Sequence, residues 1–303
     1  MRYVIIGNSA AAIGGVEGIR RVDAASPIAL LSAEPHHTYS RPLISYLLWG
    51  KTDEERMLYR PRDYYEKMGV TPLLGCTATE IDPAKQIVRL ADGRDVPYDK
   101  LLVATGSRPF VPPMAGLDQV EKKFSFLTLD DARALAAALT PHSRVLIVGA
   151  GLIGTKCAEG IRHLCRSLTL VDMAPRILPA VLDEEAAALV QRRMEAHGID
   201  FRLSDVARFE KNLAHLQSGE EIPFDVLVLA VGVRPRTELV EAAGGRVERG
   251  IVTDACQRTS LPNVYAAGDC ARSHDISTGA DKILAILPNA YLQGETAGRS
   301  MAG

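Results

Sequence analysis

Two distant stretches of this chain align without a gap. VRLADGRDVPYDKLLVATGSRP (Val88–Pro109) matches AHLQSGEEIPFDVLVLAVGVRP (Ala214–Pro235). Leu90/Leu216, Gly93/Gly219, Pro97/Pro223, Asp99/Asp225, Leu101/Leu227, Ala104/Ala230, Gly106/Gly232, Arg108/Arg234 and Pro109/Pro235 all pair at one offset. Each copy reads as a strand, a D-G or S-G turn, a short second strand and then a buried apolar strand ending in glycine. Such a repeat restricts the fold more than any single motif does. Each half has to build a similar α/β unit.

Each repeat is preceded by a glycine turn. In the first, the β-branched run Tyr3–Ile6 ends at Gly7, and NSAAAIGGVEGIRR continues with a helical pattern. The next strand, PIALLSAE, ends at Glu34. A glycine turn after a parallel strand, with an acidic residue about 20–30 positions on, is the arrangement that binds dinucleotides. Backbone N–H groups and the positive helix end meet the pyrophosphate, and the carboxylate accepts from a ribose. The glycine pattern here is imperfect, because Ser9 and Ala12 replace the second and third glycines. The second copy is complete. RVLIVGAGLIG gives a strand and then Gly149, Gly151 and Gly154 in G-x-G-x-x-G spacing, with Leu152 and Ile153 between the last two. The following strand, SLTLVDM, carries Asp172. An aspartate there accepts from both ribose hydroxyls of NAD and repels the 2′-phosphate of NADP. Arg176 lies four residues on, so the expected preference is NADH, with NADPH second.

Bulk properties exclude several classes. Apolar residues make up 47% of 303 residues, which suits a folded chain with a substantial core. The net charge is −2 and no long basic run is present, so nucleic acid is not an expected partner. The longest apolar runs, such as Val226–Val233, are too short to cross a bilayer. The N-terminal MRYVIIGNSAAAIGG has the look of a weak signal peptide, but its glycine pattern and the acidic residue downstream favour a strand–turn–helix. The five cysteines, Cys76, Cys157, Cys165, Cys256 and Cys270, form no C-x-x-C. They read as buried structural thiols in a reducing cytoplasm, with neither a disulfide framework nor a metal site.

Near the end, LPNVYAAGDCA closes a strand on Gly268, and Asp269 follows. Asp269 can hold a sugar-alcohol hydroxyl or act as a plain helix N-cap. Pro288 then starts a helix in LPNAYLQGETAGRSMAG.

Together these pieces resemble the pyridine nucleotide–disulfide oxidoreductase superfamily of FAD flavoproteins, over nearly the whole chain. The resemblance rests on the Gly7 turn with Glu34, the ATG at Ala104–Gly106 (Ala104, Thr105, Gly106), the complete second glycine turn, AVGVRP with Gly232, and AAGDCA. It implies two Rossmann-like, three-layer nucleotide-binding domains of glutathione-reductase type. The FAD domain would be split into 1–113 and 236–303, with an NAD domain at 114–235 between its parts. By this likeness Gly7, Ser9 and Ala10 face the FAD pyrophosphate, Glu34 the adenosine ribose and Asp269 the ribityl chain. Pro288 and Asn289 would start the helix beside the flavin pyrimidine. Relatives continue into a third, interface domain. The expected fold lacks it, which makes a monomer or weak dimer the expected state.

The segment YSRPLISYLLWG (Tyr39–Gly50) narrows the type. Disulfide reductases carry redox cysteines in this region, and none lies between Met1 and Val70. The segment resembles Y-x-R-P-x-L-S of rubredoxin reductases, ferredoxin reductases and nitrite reductase flavoprotein domains, which implies that Arg41 and Pro42 lie by the flavin. In relatives a Lys after that Ser pairs with a Glu that ends G-x-G-x-x-G-x-E. Here those positions hold Tyr46 and Lys156. Either Lys156 supplies a cation near flavin N5 with Tyr46 as its neighbour, or it points to solvent from the first helical turn. The implied activity is electron transfer from NADH through FAD to a small acceptor protein such as rubredoxin. The alternatives are an NADH oxidase using oxygen and a non-enzymatic FAD-bound interaction module. His36 and His37 line an acceptor surface or are simply solvated.

Overall fold

A computed structural model describes Met1–Gly303. The central strand of the first sheet is Tyr3–Ile6, buried throughout, and that of the second is Arg144–Val148, buried from Val145 onward. Strands apolar on both faces belong in a parallel sheet covered on two sides. The first sheet runs Val264–Ala266, Lys100–Val103, Tyr3–Ile6, Ile28–Ser32, Val70–Leu74, all parallel. The second runs Ile199–Arg202, Ser167–Val171, Arg144–Val148, Val226–Leu229, Lys123–Phe124, also parallel. In each, the order reverses beside the central strand. That is where an open α/β sheet leaves a crevice at its carboxyl ends.

The sequence repeat reappears as structure. Each unit carries a three-stranded antiparallel meander, Ala78–Asp82, Ile87–Leu90 and Asp95–Pro97 in the first, and Val206–Glu210, Leu213–Leu216 and Glu221–Pro223 in the second. Each central strand is also pinned at its start by one arginine. Arg2 donates from its backbone N–H (2.6 Å) and guanidinium (2.7 Å) to Asp99. Arg144 does the same to Asp225, at 2.8 Å for both bonds.

The chain divides into two compact units. One comprises Met1–Ser40, Leu58–Arg108 and Pro235–Gly303, and the other Arg41–Met57 and Pro109–Arg234. The segment expected as 1–113 is thereby divided, because Arg41–Met57 packs in the second unit. The reason lies at Gly160, where a Cβ would stand 2.7 Å from the Ser45 carbonyl oxygen, so two backbones meet without a side chain between them. The first unit has a comparable crossing. Helices Ala10–Arg20 and Leu287–Ala302 touch through Gly14, whose Cβ would lie 2.2 Å from the Tyr291 oxygen, and through Gly294, whose Cβ would lie 1.9 Å from the Ala11 oxygen. This contact ties the last helix of the chain to the first. No helix is long and apolar enough to cross a membrane.

Candidate functional site

The first turn is set by Gly7. Its φ is 130°, and a Cβ would lie 2.1 Å from the Ala104 carbonyl oxygen, so only glycine fits. Its N–H donates to the Leu31 carbonyl at 2.8 Å. The helix Ala10–Arg20 starts after Ser9, which is extended and makes no side-chain capping bond. Serine ordinarily caps well, so first-turn N–H groups are left without a side-chain acceptor.

That feature recurs selectively. Among the five helices of ten residues or more, Leu129–Ala138 is capped by Thr128 and Glu184–Glu195 by Asp183. Ala10–Arg20, Leu152–Ile161 and Leu287–Ala302 have no side-chain cap. These three are the helices whose starts the sequence marks for nucleotide contact. An uncapped helix start is suited to an anion.

Around the first turn, Tyr65 links its neighbours. Its hydroxyl donates to Asn8 Oδ1 (2.7 Å) and accepts the Thr38 N–H (3.0 Å), while Asn8 Nδ2 donates to the His36 carbonyl (3.1 Å). Glu34 accepts from the Tyr39 hydroxyl at 2.6 Å. His37 is not simply solvated, since its ring packs 4.6 Å from that of Tyr65 and its Nε2 is buried without a hydrogen-bond partner. Thr38 Oγ1 is likewise buried and unpartnered. Asp269 accepts from the Ser107 hydroxyl at 3.3 Å and lies inside the short 3₁₀ turn Gly268–Cys270, whose N-cap position is Ala267. The neighbouring Gly268 N–H donates to Gln293 Oε1 at 2.8 Å. Thr105 donates to the Arg236 carbonyl (2.8 Å), and a Cβ on Gly106 would meet open space. Pro288 sits in the first turn of the last helix, and Asn289 Nδ2 donates to the Leu284 carbonyl at 3.1 Å.

The second turn repeats the first with tighter steric demands. Gly149 has a φ of 108°, and a Cβ there would lie 2.3 Å from the Ala230 oxygen. A Cβ on Gly154 would lie 1.8 Å from the Gly149 oxygen, whereas one on Gly151 or Gly232 would meet open space. The Asp172 carboxylate accepts two backbone bonds, from Ala150 N–H at 2.6 Å and Ala174 N–H at 2.8 Å. Arg176 turns into its own loop and donates to the Leu182 carbonyl at 3.1 Å.

Within the second unit, Lys156 does not point freely to solvent. Its ammonium pairs with Glu159 one turn along the helix and lies 4.4 Å over the Tyr46 ring. Burial opposes the Lys156 charge, but the Glu159 carboxylate outweighs it and holds the pKa above the ordinary lysine value. Tyr46 is 37% exposed and its ring stands 6.2 Å from that of Trp49. Arg41 Nη1 approaches the Leu127 carbonyl at 3.4 Å, and Pro42 follows in the same short 3₁₀ turn.

All five cysteines are free thiols. Cys157, Cys165 and Cys270 are buried, and burial pushes their pKa values up. Cys256 is exposed, which departs from the expectation of buried thiols throughout. Several residues of these networks, Tyr65, Ser107, Gln293 and Glu159 among them, lie outside the sequence-derived set. For Glu159 a signal exists, because EGIR occurs in both glycine-turn helices, as Glu17–Arg20 and Glu159–Arg162. For Gln293 none does, because its role depends on where Gly268 comes to lie.

Comparison with known proteins adds a further line of support. A family model described as pyridine nucleotide-disulphide oxidoreductase matches residues 1–294. The assimilatory nitrate reductase electron transfer subunit of Bacillus subtilis (strain 168) is 32% identical over the whole chain. The chain spans only 39% of that protein's length. The rubredoxin-NAD(+) reductase of Pseudomonas putida is 30% identical over the whole chain, which spans 80% of it. Among solved structures, the covalent putidaredoxin reductase–putidaredoxin complex superposes with a TM-score of 0.91 and 29% identity, covering 99% of this chain and 75% of that one.

Proposed function

The chain belongs to the pyridine nucleotide-disulphide oxidoreductase family, and on that premise we propose that it is an FAD-dependent NADH oxidoreductase delivering electrons to a small electron-transfer protein of the rubredoxin kind. The observation that carries this reading is one anion-ready device built twice. Each central strand ends in a glycine turn, and the helix that follows has no side-chain cap. The five free thiols suit a reducing cytoplasm.

When bound, FAD supplies the exchange between a two-electron nicotinamide donor and one-electron acceptors. The protein's part is to hold and to charge-balance. In our reading the FAD domain draws on 1–113 with 236–303 and the NAD domain on 114–235, although Arg41–Met57 packs with the second compact unit. Gly7, Ser9 and Ala10 offer backbone N–H groups to the FAD pyrophosphate, and Glu34 accepts from the adenosine ribose. Asp269 holds the ribityl chain. Ala104, Thr105, Gly106 and Gly268 line the flavin, with open space beside Gly106, and the family resemblance assigns Arg41 and Pro42 to the flavin as well. The helix that begins at Pro288 and Asn289 offers its positive end to negative charge. Gly149, Gly151, Leu152, Ile153 and Gly154 hold the NADH pyrophosphate, with Gly232 leaving room alongside. Asp172 accepts from the adenosine ribose hydroxyls of NADH. Arg176 is turned into its own loop and donates to the Leu182 carbonyl, which supports NADH over NADPH. Lys156, with Tyr46 beneath it, contributes positive charge that favours the reduced flavin.

The test is spectroscopic. Anaerobic NADH should bleach the yellow protein within seconds, NADPH should do so more slowly, and oxidised rubredoxin should then restore the colour. Recovery with air but not with rubredoxin points to the oxidase alternative. A yellow protein that NADH leaves unchanged is an FAD-bound module and not this enzyme.

A further inference from the structure

The second glycine turn is tied to a side chain. Ala150, fully buried in that turn, donates its N–H to Asp172 Oδ2 at 2.6 Å, while Oδ1 accepts the Ala174 N–H at 2.8 Å. The Ala150 carbonyl accepts from Leu178 N–H at 2.9 Å. Leu178 is buried and has a φ of 50°, a left-handed conformation that costs a non-glycine residue about 1–2 kcal/mol. The loop after Asp172 is therefore folded back onto the turn, and Arg176 closes it through the Leu182 carbonyl. The first unit is built differently. There the position that matches Asp172 is Ser32, whose hydroxyl donates to the Glu34 carbonyl at 2.9 Å, while the Glu34 carboxylate accepts from the Tyr39 hydroxyl at 2.6 Å.

A buried N–H without an acceptor costs about 1–3 kcal/mol. A site that fills and empties in every cycle meets that cost whenever it is empty, unless the protein supplies the acceptor itself. A carboxylate has about four acceptor positions, so two backbone bonds leave capacity for ribose hydroxyls. We propose that Asp172 is a positioning residue as well as a nucleotide ligand. Its carboxylate holds the second glycine turn in binding shape before any nucleotide arrives, and the ribose adds to those bonds without displacing them. The inference rests on the NADH reading of this turn.

Amide hydrogen exchange on the FAD-loaded protein without NADH tests it. Asp172→Ala should speed exchange at Ala150 about tenfold or more, while amides of the strand Arg144–Val148 stay protected. Asp172→Asn keeps one acceptor oxygen, so only one of Ala150 and Ala174 should lose protection. That variant carries the test if the alanine protein does not fold. A residue that only touches ribose would weaken NADH binding yet leave both amides unchanged in the empty protein, and that result overturns the proposal. Failure of the unaltered protein to bind NADH overturns the nucleotide reading instead, and the exchange result still judges the staple because it is measured without nucleotide.

Discussion

The two glycine-turn helices carry the same four residues and employ them differently. Gly18 and Gly160 each admit a neighbouring backbone, with a Cβ placed 2.3 Å from the Glu295 oxygen and 2.7 Å from the Ser45 oxygen respectively. Arg20 and Arg162 each donate to the carbonyl of the glycine that opens the third strand, Gly69 at 3.1 Å and Gly198 at 2.6 Å. The glutamates diverge. Glu17 collects Arg60 (2.8 Å), Tyr64 (3.2 Å) and Tyr291 (2.5 Å), a knot that ties the last helix of the chain to the first. Glu159 pairs with Lys156 on its own, half-exposed helix face. Within these four residues, the glycine that fixes where a backbone passes is the same in both copies, while the glutamate that only chooses a partner is employed differently. Two buried side-chain atoms without partners, His37 Nε2 and Thr38 Oγ1, lie beside the first turn, and none is found in the second unit. That contrast suits a resident cofactor in one unit and an exchanging nucleotide in the other.

The sharpest way to break the comparison lies at the third position of each glycine turn, where Gly154 corresponds to Ala12. A Cβ on Gly154 would lie 1.8 Å from the Gly149 oxygen, so Gly154→Ala has to push the turn open. We expect it to weaken NADH binding at least about 100-fold and to cost about 3 kcal/mol of stability. The first unit already holds a fully buried methyl at Ala12, so Ala12→Gly should cost only about 1 kcal/mol and leave FAD bound. NADH titration and thermal unfolding, followed through flavin absorbance, measure both. Equal effects from the two substitutions would mean that the turns are not used as different classes of site.

The Glu17 knot gives the next largest effect, and it depends on pH. Burial pushes the Glu17 carboxyl up, but bonds from Arg60, Tyr291 and Tyr64 outweigh it and hold the group below the ordinary range. A carboxyl depressed on folding contributes stability that is fully present above the unfolded value, about 4.3, and is lost as pH falls through the folded one. The first unit should therefore loosen and release FAD as the pH falls below the unfolded carboxyl value and through the folded one. Glu17→Gln should cost about 2–3 kcal/mol at neutral pH, because Arg60 is left partly buried without its counter-ion, and should flatten the acid limb. Flavin release followed against pH for both proteins checks the sign. An acid limb unchanged in the variant assigns the lability elsewhere.

Backbone-level features were the legible ones. The ungapped repeat anticipates the last two strands of each meander and the buried strand after them, and Tyr3–Ile6 and the helix around Pro288 form where their residue types direct. Glycine turns are readable because sterics at Gly7 and Gly149 depend on neighbours that the repeat itself supplies, Ala104 and Ala230. Side-chain employment was harder to read. No local signal says that Arg176 is tied to Leu182, that His37 packs on Tyr65, or that Gln293 holds the Gly268 amide, since each partner comes from another element. The packing of Arg41–Met57 was hidden for the same reason. It turns on Gly160, a glycine that reads as an ordinary helix residue until the Ser45 backbone is brought against it.

The smallest effect concerns the position where the copies differ most in charge. Lys156 corresponds to Gly14, which has to be small because the Tyr291 backbone crosses it, while the second helix has no such crossing there and can carry an ammonium. Glu159 keeps that ammonium charged above the ordinary lysine range, so its charge should not change between pH 6 and about 9. If it favours the reduced flavin, Lys156→Met should lower the midpoint potential by about 30 mV, which for two electrons is about 1.4 kcal/mol. Glu159→Gln should raise the potential by less, since it removes only a counter-charge. Burial then opposes the Lys156 charge against Tyr46 alone, so that gain should shrink as pH rises. Redox titration of the three proteins at pH 7 and 9 decides the matter. Equal potentials throughout would leave Lys156 as an ion-pair partner on a helix face and remove it from the electron-transfer chemistry.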